Sequence, residues 1–492
     1  MNAALLFQGL AEPKELPDMD LTTLTERADQ AHGQAVFVCI RGARINGHDL
    51  APIAYRNGCR IFVAEKTLPL PDDAFVVLVS DPRATLSSLA CRFYNHPSHT
   101  MRLIGVTGTK GKTTVAQLLF HILNRHGVPC GYIGTNGTAF GNVHRNTKNT
   151  TPDAVTLQAT LSEMLSLGIK TAVIEVSSQA LMQFRADGTR FETVVFTNLS
   201  PDHISPTEHS SFEHYKSCKH RLFTDFGAAY AFLNSDDDAS TQMRINTSAN
   251  TVMTYSVKDP SADYFAADTQ PFATAQSLGI AFSICAQGHC VPCSLPLTGR
   301  FNAANALVAV AVANRVFGIS LDNCANALSD AHVAGRSELY GLPSGAYAVI
   351  DYAHNGASLS QALSALRPYV TSRLIVLFGS VGERSQMRRA ALGQAAASYS
   401  DMAILTSDNP GNEDPNAIIQ EIAQAFEGTK IPYVSIPDRA EAIRYAIGIA
   451  KKGDIILLAG KGHEEYQLIG NEKLPFSERK ILNTYIPQTA QP

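Results

Sequence analysis

"GVTGTKGKTT", Gly105–Thr114, stands between the apolar run "MRLIGVTG" and "TTVAQLLFHILNRHG", whose apolar positions recur at helical spacing. Strand, glycine-containing loop and helix in that order aim consecutive backbone N–H groups and a helix N-terminus at an anion. A lysine then adds a point charge and a hydroxyl reaches a metal ion. Gly108, Thr109, Lys110, Gly111, Lys112, Thr113 and Thr114 supply these parts for the phosphates of ATP. The spacing departs from the common phosphate loop: Val106 stands where a glycine is usual, with Gly105 one place early and Gly108 two late. That marks a variant class of nucleotide loop and disfavours a generic kinase or GTPase.

The strand–loop–helix texture extends outward. "KTAVIEVSS" and "FETVVFTNLS" are further apolar strands that end in polar residues, the ends at which parallel α/β sheets bind ligands. Upstream, "AVFVCI", "CRIFVAE" and "AFVVLVS" form a small α/β segment over residues 1–99. Downstream, "AYAVIDYAH", "RLIVLFGSVG", "DMAILTSDNP" and "DIILLAGKGHE" alternate with helical stretches, the rhythm of a doubly wound sheet.

With 492 residues the chain exceeds one ordinary core and calls for two to four domains. At 45% apolar, 17% charged and a net charge of −4, it lacks the basic field of a nucleic-acid binder. The first residues carry no basic n-region, so a signal peptide is not expected. No run reaches the ~18 apolar residues of a membrane span, so no membrane insertion is expected and the cytoplasm is the expected location. Nine scattered cysteines suggest reduced thiols. "CAQGHCVPC" sets Cys285, His289, Cys290 and Cys293 close together, but the alternating runs around it read as a hairpin turning at "AQGH" rather than as a zinc site.

Two groups beside the loop suggest metal chemistry. Glu175 in "EVSSQAL" and His203 in "NLSPDHIS" end strands on the phosphate side and could hold Mg²⁺ with Thr113; each reads equally as a hydrogen-bonded loop residue. Together with "TGTKGKTT", the motifs "EVSSQAL", "NLSPDH", "HYKSCKHRLF", "LTGRFNAANAL", "AGRSE", "DYAHN", "SDNP" and "GKGHEEYQ" occur in an order that resembles the Mur ligases, in particular their MurE-type tripeptide synthetases. The resemblance covers nearly the whole chain. It implies an α/β protein of three domains: a small UDP-sugar-binding domain at 1–99, a central ATP-binding domain with a P-loop-type, mainly parallel sheet at 100–333, and a Rossmann-like, doubly wound amino-acid-binding domain at 334–492.

The activity implied is an ATP-dependent, ADP-forming ligase of cytoplasmic peptidoglycan precursor synthesis, acting as a monomer. It would add a diamino acid to the D-Glu γ-carboxylate of UDP-MurNAc-L-Ala-D-Glu through an acyl phosphate. By the same resemblance Lys112 contacts the phosphates, Thr113 and Glu175 hold one Mg²⁺, and His203 supports a second. Lys219 matches the lysine that the family converts with CO₂ to a carbamate, an anion able to bind Mg²⁺ once the amine has lost its proton. Asn302 is placed near the adenine, although it also suits a helix cap; Arg336 is placed near the phosphates, Asp351 at the ribose and His354 beside the nucleotide. The UDP-muramoyl dipeptide falls to Asn149, Thr150, Thr151, Ser177, Gln183 and Arg185, with Arg27 and Asn46 as looser uridine candidates.

The incoming amine is expected at Arg384, Asp408, Asn409, Gly411, Gly460, His463 and Glu464. Gly411 stands where diaminopimelate-adding members carry an arginine for the distal carboxylate, a departure that would suit L-lysine. The other residues fit members that grip the amino-acid zwitterion, with Glu464 available to the distal ammonium, so meso-diaminopimelate is expected and L-lysine is the close alternative. A folylpolyglutamate synthetase or a neighbouring Mur ligase adding a different unit, a P-loop NTPase or kinase, and an idle ATP-fold binding protein are the competing readings. The N-terminal segment, the loop spacing and the intact Lys112, Glu175, His203 and Lys219 argue against them in turn.

Overall fold

The computed structural model describes residues 1–10, 16–17, 19–42, 45–202, 204–205, 208–274, 277–383 and 386–485. It divides into two compact units, Met1–Asp263 and Tyr264–Pro492. We propose a division into three domains, 1–99, 100–333 and 334–492.

The first unit begins with four parallel strands, Thr23–Thr25, Ala35–Val38, Ile61–Ala64 and Phe75–Leu78, paired in chain order. Alternate residues of the middle strands enter different apolar clusters, Val36, Val38, Ile61 and Val63 on one face and Phe37, Phe62 and Ala64 on the other. Both faces are therefore covered, as parallel pairing requires. The larger sheet of this unit sets Arg102–Thr107 at its centre, parallel to Thr171–Glu175 on one side and Thr193–Phe196 on the other. Tyr230–Asn234 and Thr251–Ser256 extend it in parallel beyond Thr193–Phe196. Beyond Thr171–Glu175 come Cys130–Gly134, in parallel, and then a short antiparallel meander, Gly137–Phe140 and Val143–Arg145. The helix after the glycine loop runs Lys112–Arg125 and buries Val115, Leu118, Leu119, Ile122 and Leu123, the face its periodicity predicts. It ends before Gly127, whose φ of +74° only glycine adopts without strain.

The second unit opens with three antiparallel strands, Tyr264–Ala273, Leu278–Ala286 and His289–Leu295, packed on the helix Phe301–Phe317. Two residues with positive φ, Gln287 and Gly288, make the expected hairpin turn. Cys285 and Cys290 face each other across it and form a disulfide, which corrects the expectation of reduced thiols for this pair; the other seven cysteines are free and buried. A zinc site built on Cys285 and Cys290 is thereby excluded.

Six further strands follow in the order Glu338–Gly341, Tyr347–Asp351, Ile455–Ala459, Leu374–Phe378, Met402–Leu405 and Tyr433–Ser435, all parallel except the first pair. In Leu374–Phe378, residues 374, 376 and 378 join one apolar cluster while 375 and 377 join another. Helices cover both faces, so this is the doubly wound sheet the strand–helix rhythm predicts, with its chemistry at the carboxyl ends. Among the described residues no helix is long and apolar enough to cross a membrane.

Candidate functional site

The glycine loop follows strand Arg102–Thr107 and opens directly into the helix Lys112–Arg125. Gly108 has φ +145° and Gly111 φ +85°; a Cβ on Gly108 would collide with Thr197 Oγ1, so no other residue fits this bend. Lys112 Nζ donates to the carbonyls of Gly108 at 2.9 Å and Thr109 at 3.1 Å, which holds its charge over the loop. Thr109 is a strut: its hydroxyl donates to Ser200 O and accepts from Tyr215 OH. Lys110 pairs with Asp202 at 3.0 Å, and its backbone N–H donates to Asn198 Oδ1. Thr114 is buried in the first helical turn.

Thr113 Oγ1 donates to Glu175 Oε2 at 2.9 Å. Glu175 is fully buried at the end of strand Thr171–Glu175, and its other oxygen accepts from Tyr132 OH at 2.6 Å and Thr135 N at 3.0 Å. Gly134 makes room for it, since a Cβ there would strike both Glu175 Oε1 and Tyr132 OH. A carboxylate and a hydroxyl at the mouth of a phosphate loop are the oxygen donors that Mg²⁺ takes, so the residues present fit that ion. His203 lies outside the described residues.

Lys219 sits on the helix Phe212–Thr224 and is 1% exposed. Its Nζ donates to Gly108 O at 2.9 Å and lies 4.5 Å from the centre of the Tyr215 ring. Burial, and next the charge of Lys112, drive its pKa well below the ordinary lysine value. The amine thus loses its proton more readily than a surface lysine, which carbamate formation requires.

A cavity of about 490 Å³ opens in the same unit. Arg27, Asn149, Gln183 and Arg185 line it, together with Glu26, Arg83, Lys148 and Asp153, which no motif had marked. Arg185 donates to Gln183 Oε1 and to the carbonyl of Thr151, so its guanidinium is held in one orientation. Burial, then the nearby Asp153, push the Glu26 carboxyl up, against the pull of Arg83 and Arg185. Thr150 pairs with Thr135 through their hydroxyls. Thr151 and Ser177 brace the chain behind the cavity: Thr151 Oγ1 donates to Glu175 O, and Ser177 Oγ caps the helix Ser178–Met182. Asn46 caps the helix Gly47–Arg56 by accepting from His48 N, which accounts for it without a uridine. Arg27 forms an exposed pair with Asp29 at the cavity rim.

The second unit carries the remaining candidates. Asn302 is buried in the first turn of the helix Phe301–Phe317, where its amide donates to Thr298 O and its carbonyl accepts from Asn305; it is not the N-cap, a position held by Arg300. Asp351 ends strand Tyr347–Asp351 and accepts from the N–H groups of Ser337 and Ala353. Burial pushes its carboxyl up, with Arg336 pulling the other way. Arg336 lies over the Tyr352 ring at 4.9 Å, and the rings of His354 and His463 each pack on Tyr352 at the same distance.

Four polar side chains meet beyond the ends of Met402–Leu405 and Ile455–Ala459. Lys461, fully buried, pairs with Asp408 at 3.0 Å and with Glu464 at 3.2 Å, and donates to Asn409 Oδ1. Asn409 Nδ2 in turn donates to Glu464. Burial alone would raise the Asp408 carboxyl, but Lys461 and then Arg439 hold it below the usual range. Gly460 has φ +112°, and a Cβ there would press on Asp408 at 3.1 Å. Arg439, also buried, donates to the carbonyls of Ser407 and Ala459 and pairs with Glu478. Gly411, with φ +59°, has open space around its missing Cβ, and the nearest atom is the Glu383 carboxylate at 3.9 Å. Arg384 lies outside the described residues. Lys461 had been passed over although it stands inside "GKGHEEYQ"; a lysine flanked by two glycines was the available signal.

The family model "Mur ligase middle domain" matches residues 106–313, and "Mur ligase, glutamate ligase domain" matches residues 335–462. A curated relative from Caldanaerobacter subterraneus subsp. tengcongensis, named UDP-N-acetylmuramoyl-L-alanyl-D-glutamate--2,6-diaminopimelate ligase, is 37% identical over 490 residues, covering 99% of this chain and 100% of that protein. One of the same name from Geobacillus kaustophilus is 37% identical over 477 residues, 95% of each. A solved structure of a ligase of that name superimposes with a TM-score of 0.71 at 28% identity over 100% of both chains. The fold is also that of the MurF ligase of Thermotoga maritima solved with ADP, with a TM-score of 0.63, 18% identity and coverage of 90% of this chain and 95% of that one. A phosphate loop of unusual spacing, a buried lysine seated on it and a sheet-end cluster around Asp408 thus occur in a chain that belongs to the Mur ligase family.

Proposed function

We propose that the chain joins a diamino acid to the D-Glu γ-carboxylate of UDP-MurNAc-L-Ala-D-Glu, with ATP converted to ADP and phosphate. The observation that carries this reading is the buried Lys219 amine on the carbonyl of Gly108, beside Glu175 and Thr113 at the mouth of the loop. The relatives' names supply the substrate class.

Lys112 and the loop N–H groups hold the ATP phosphates in line with the substrate carboxylate, which attacks the γ-phosphorus to give an acyl phosphate and ADP. The amine then attacks that carbonyl, and phosphate leaves. Thr113 and Glu175 would hold Mg²⁺, which when bound would supply charge neutralisation to the phosphates. Addition of CO₂ to the neutral Lys219 amine forms an N–C bond, releases a proton and leaves an anion where a cation would repel a second ion; with His203 it is suited to hold that ion. The cavity lined by Asn149, Gln183 and Arg185, with Arg27 at its rim, receives the UDP-muramoyl dipeptide; Thr150, Thr151 and Ser177 brace the chain around it. Asn302, Arg336, Asp351 and His354 are assigned to the nucleotide. Asp408, Asn409, Gly460 and Glu464 are assigned to the amino-acid zwitterion, as is Arg384. The enzyme is proposed to act as a cytoplasmic monomer; sedimentation of the purified chain as a dimer would count against the latter.

Meso-diaminopimelate is the favoured amine; the relatives' names give 2,6-diaminopimelate. Gly411 supports L-lysine as the second reading, because among the described residues the one atom within 4 Å of a Cβ at that position is a carboxylate oxygen of Glu383. The test is phosphate release with UDP-MurNAc-L-Ala-D-Glu, ATP and Mg²⁺, run separately with meso-diaminopimelate, L-lysine and L-ornithine. Amine-dependent release is expected; none with any of the three would remove the ligase reading.

A further inference from the structure

We infer that His209, His214 and Cys218 form a binding site for a Zn²⁺-class ion, separate from the residues assigned above to Mg²⁺. One ligand atom from each lies within 4.8 Å of the others, and among the described residues this is the one such group of three histidine, cysteine or acidic side chains. Two imidazoles and a thiol do not suit Mg²⁺, which takes oxygen; they suit Zn²⁺ or Co²⁺.

The backbone explains the grouping. His214 and Cys218 are four residues apart on the helix Phe212–Thr224 and so project from one face, one turn apart. His209 precedes the helix and is fully buried against it, its ring 5.2 Å from that of His214. Ser178 Oγ stands 2.9 Å from His209 Nε2. Ligation through Nδ1 would keep that contact, the arrangement in which a partner on the far nitrogen orients a metal-bound imidazole. Zinc bond lengths place tetrahedral ligands roughly 3.3–3.8 Å apart, so the three atoms need to close by about 1 Å, within the reach of small side-chain rotations. Binding displaces the thiol proton, and the fourth position is left to water.

The site is tested on the full-length protein, stripped with a chelator and then titrated with Co²⁺ and with Zn²⁺ in excess Mg²⁺, which fills oxygen-rich sites. Wild type is expected to bind one equivalent of Co²⁺ with a thiolate-to-metal charge-transfer band. Cys218→Ser should abolish the band, and Cys218→Ser and His214→Ala should each weaken Zn²⁺ binding by about ten-fold or more. Half-exposed His214 keeps the test open if Cys218→Ser fails to fold. Absence of the band in wild type, or Zn²⁺ affinity unchanged in either folded variant, would overturn the assignment.

Discussion

Each unit of the molecule buries one lysine beside a glycine-rich turn, and the two are treated in opposite ways. Lys219 in the first unit is met by a carbonyl and an aromatic ring; Lys461 in the second is met by two carboxylates, Asp408 and Glu464. Desolvation disfavours both charges; Lys461 touches two carboxylates that offset it, whereas at Lys219 the pull of Asp202 is weaker than burial and the charge of Lys112. A lysine among dipoles is easily deprotonated and can be modified. One locked between carboxylates is a fixed charge that organises its neighbours. The same residue type therefore serves reactivity in one place and architecture in the other.

The largest expected effect that could break this contrast is on stability. Lys461→Met leaves Asp408 buried without its cation and is expected to cost about 3–5 kcal/mol. Lys219→Met removes a cation with no such partner and should leave the transition temperature unchanged or higher in calorimetry. Equal losses in both variants would dissolve the distinction. Activity should behave the other way: Lys219→Met is expected to lower amine-dependent phosphate release on the order of 10²–10³-fold, the scale of losing one preorganised charge-stabilising group. Strict exclusion of CO₂ should depress the wild-type rate, and full activity under that condition would remove the carbamate.

pH separates the two regions further. The Asp454 carboxylate of the second unit is held at about 2, where desolvation is outweighed by the Arg373 guanidinium and backbone donors. Its folded value lies below the ordinary aspartate value of 3.8, so its contribution is full above about pH 4 and is lost as pH falls toward 2. For a buried side chain that is worth up to about 2 kcal/mol, and Asp454→Asn should flatten the acid limb of a stability–pH curve. Lys219 has the same sign of dependence, over a separate window. Its folded pKa lies below 10.5, the unfolded state binds more protons between those two values, and stability of the first unit rises with pH across that window. Hydrogen exchange resolved by segment would read both limbs, and Lys219→Met should erase the alkaline rise.

The smallest effect concerns choice of amine. Gly411→Arg places a cation beside Glu383, at a strain of about 1–2 kcal/mol from the left-handed backbone. A charge-assisted bond to a distal carboxylate is worth about 1.5–3 kcal/mol, but Glu383 competes for the same guanidinium, so the ratio of kcat/KM for diaminopimelate over lysine should rise only a few-fold. No rise would show that this position does not read the distal group.

The sheet patterns and the loop were legible because each is written locally: alternate burial in "LIVLF", helical spacing after Lys112, and glycines where φ is positive. Glu175 and Lys219 were legible by motif order, though nothing in the chain shows that a carbonyl 111 residues earlier receives the lysine. The cavity was only half readable. Glu26, Arg83, Lys148 and Asp153 come from separate stretches, and each alone looks like a solvated surface charge; only folding brings them together. Asn46 and Asn302 show the reverse difficulty. An asparagine at a helix start satisfies backbone or neighbouring groups so well that its sequence cannot say whether a ligand is also served. The Cys285–Cys290 link follows from hairpin register, because the two face each other once Gln287 and Gly288 make the turn.

Arg439 has a further consequence. One buried guanidinium bonds the carbonyls at both strand tips, Ser407 and Ala459, while Glu478 holds it from behind. The two loops that carry Asp408 and Gly460 are clamped at their roots like jaws on one pivot, and Gly411 and Glu383 lie on the free rim. On the proposed assignment of Asp408 and Gly460 to the amino-acid zwitterion, natural drift can exchange rim residues and try new side chains on the incoming amino acid while the grip on the part common to all amino acids stays constant.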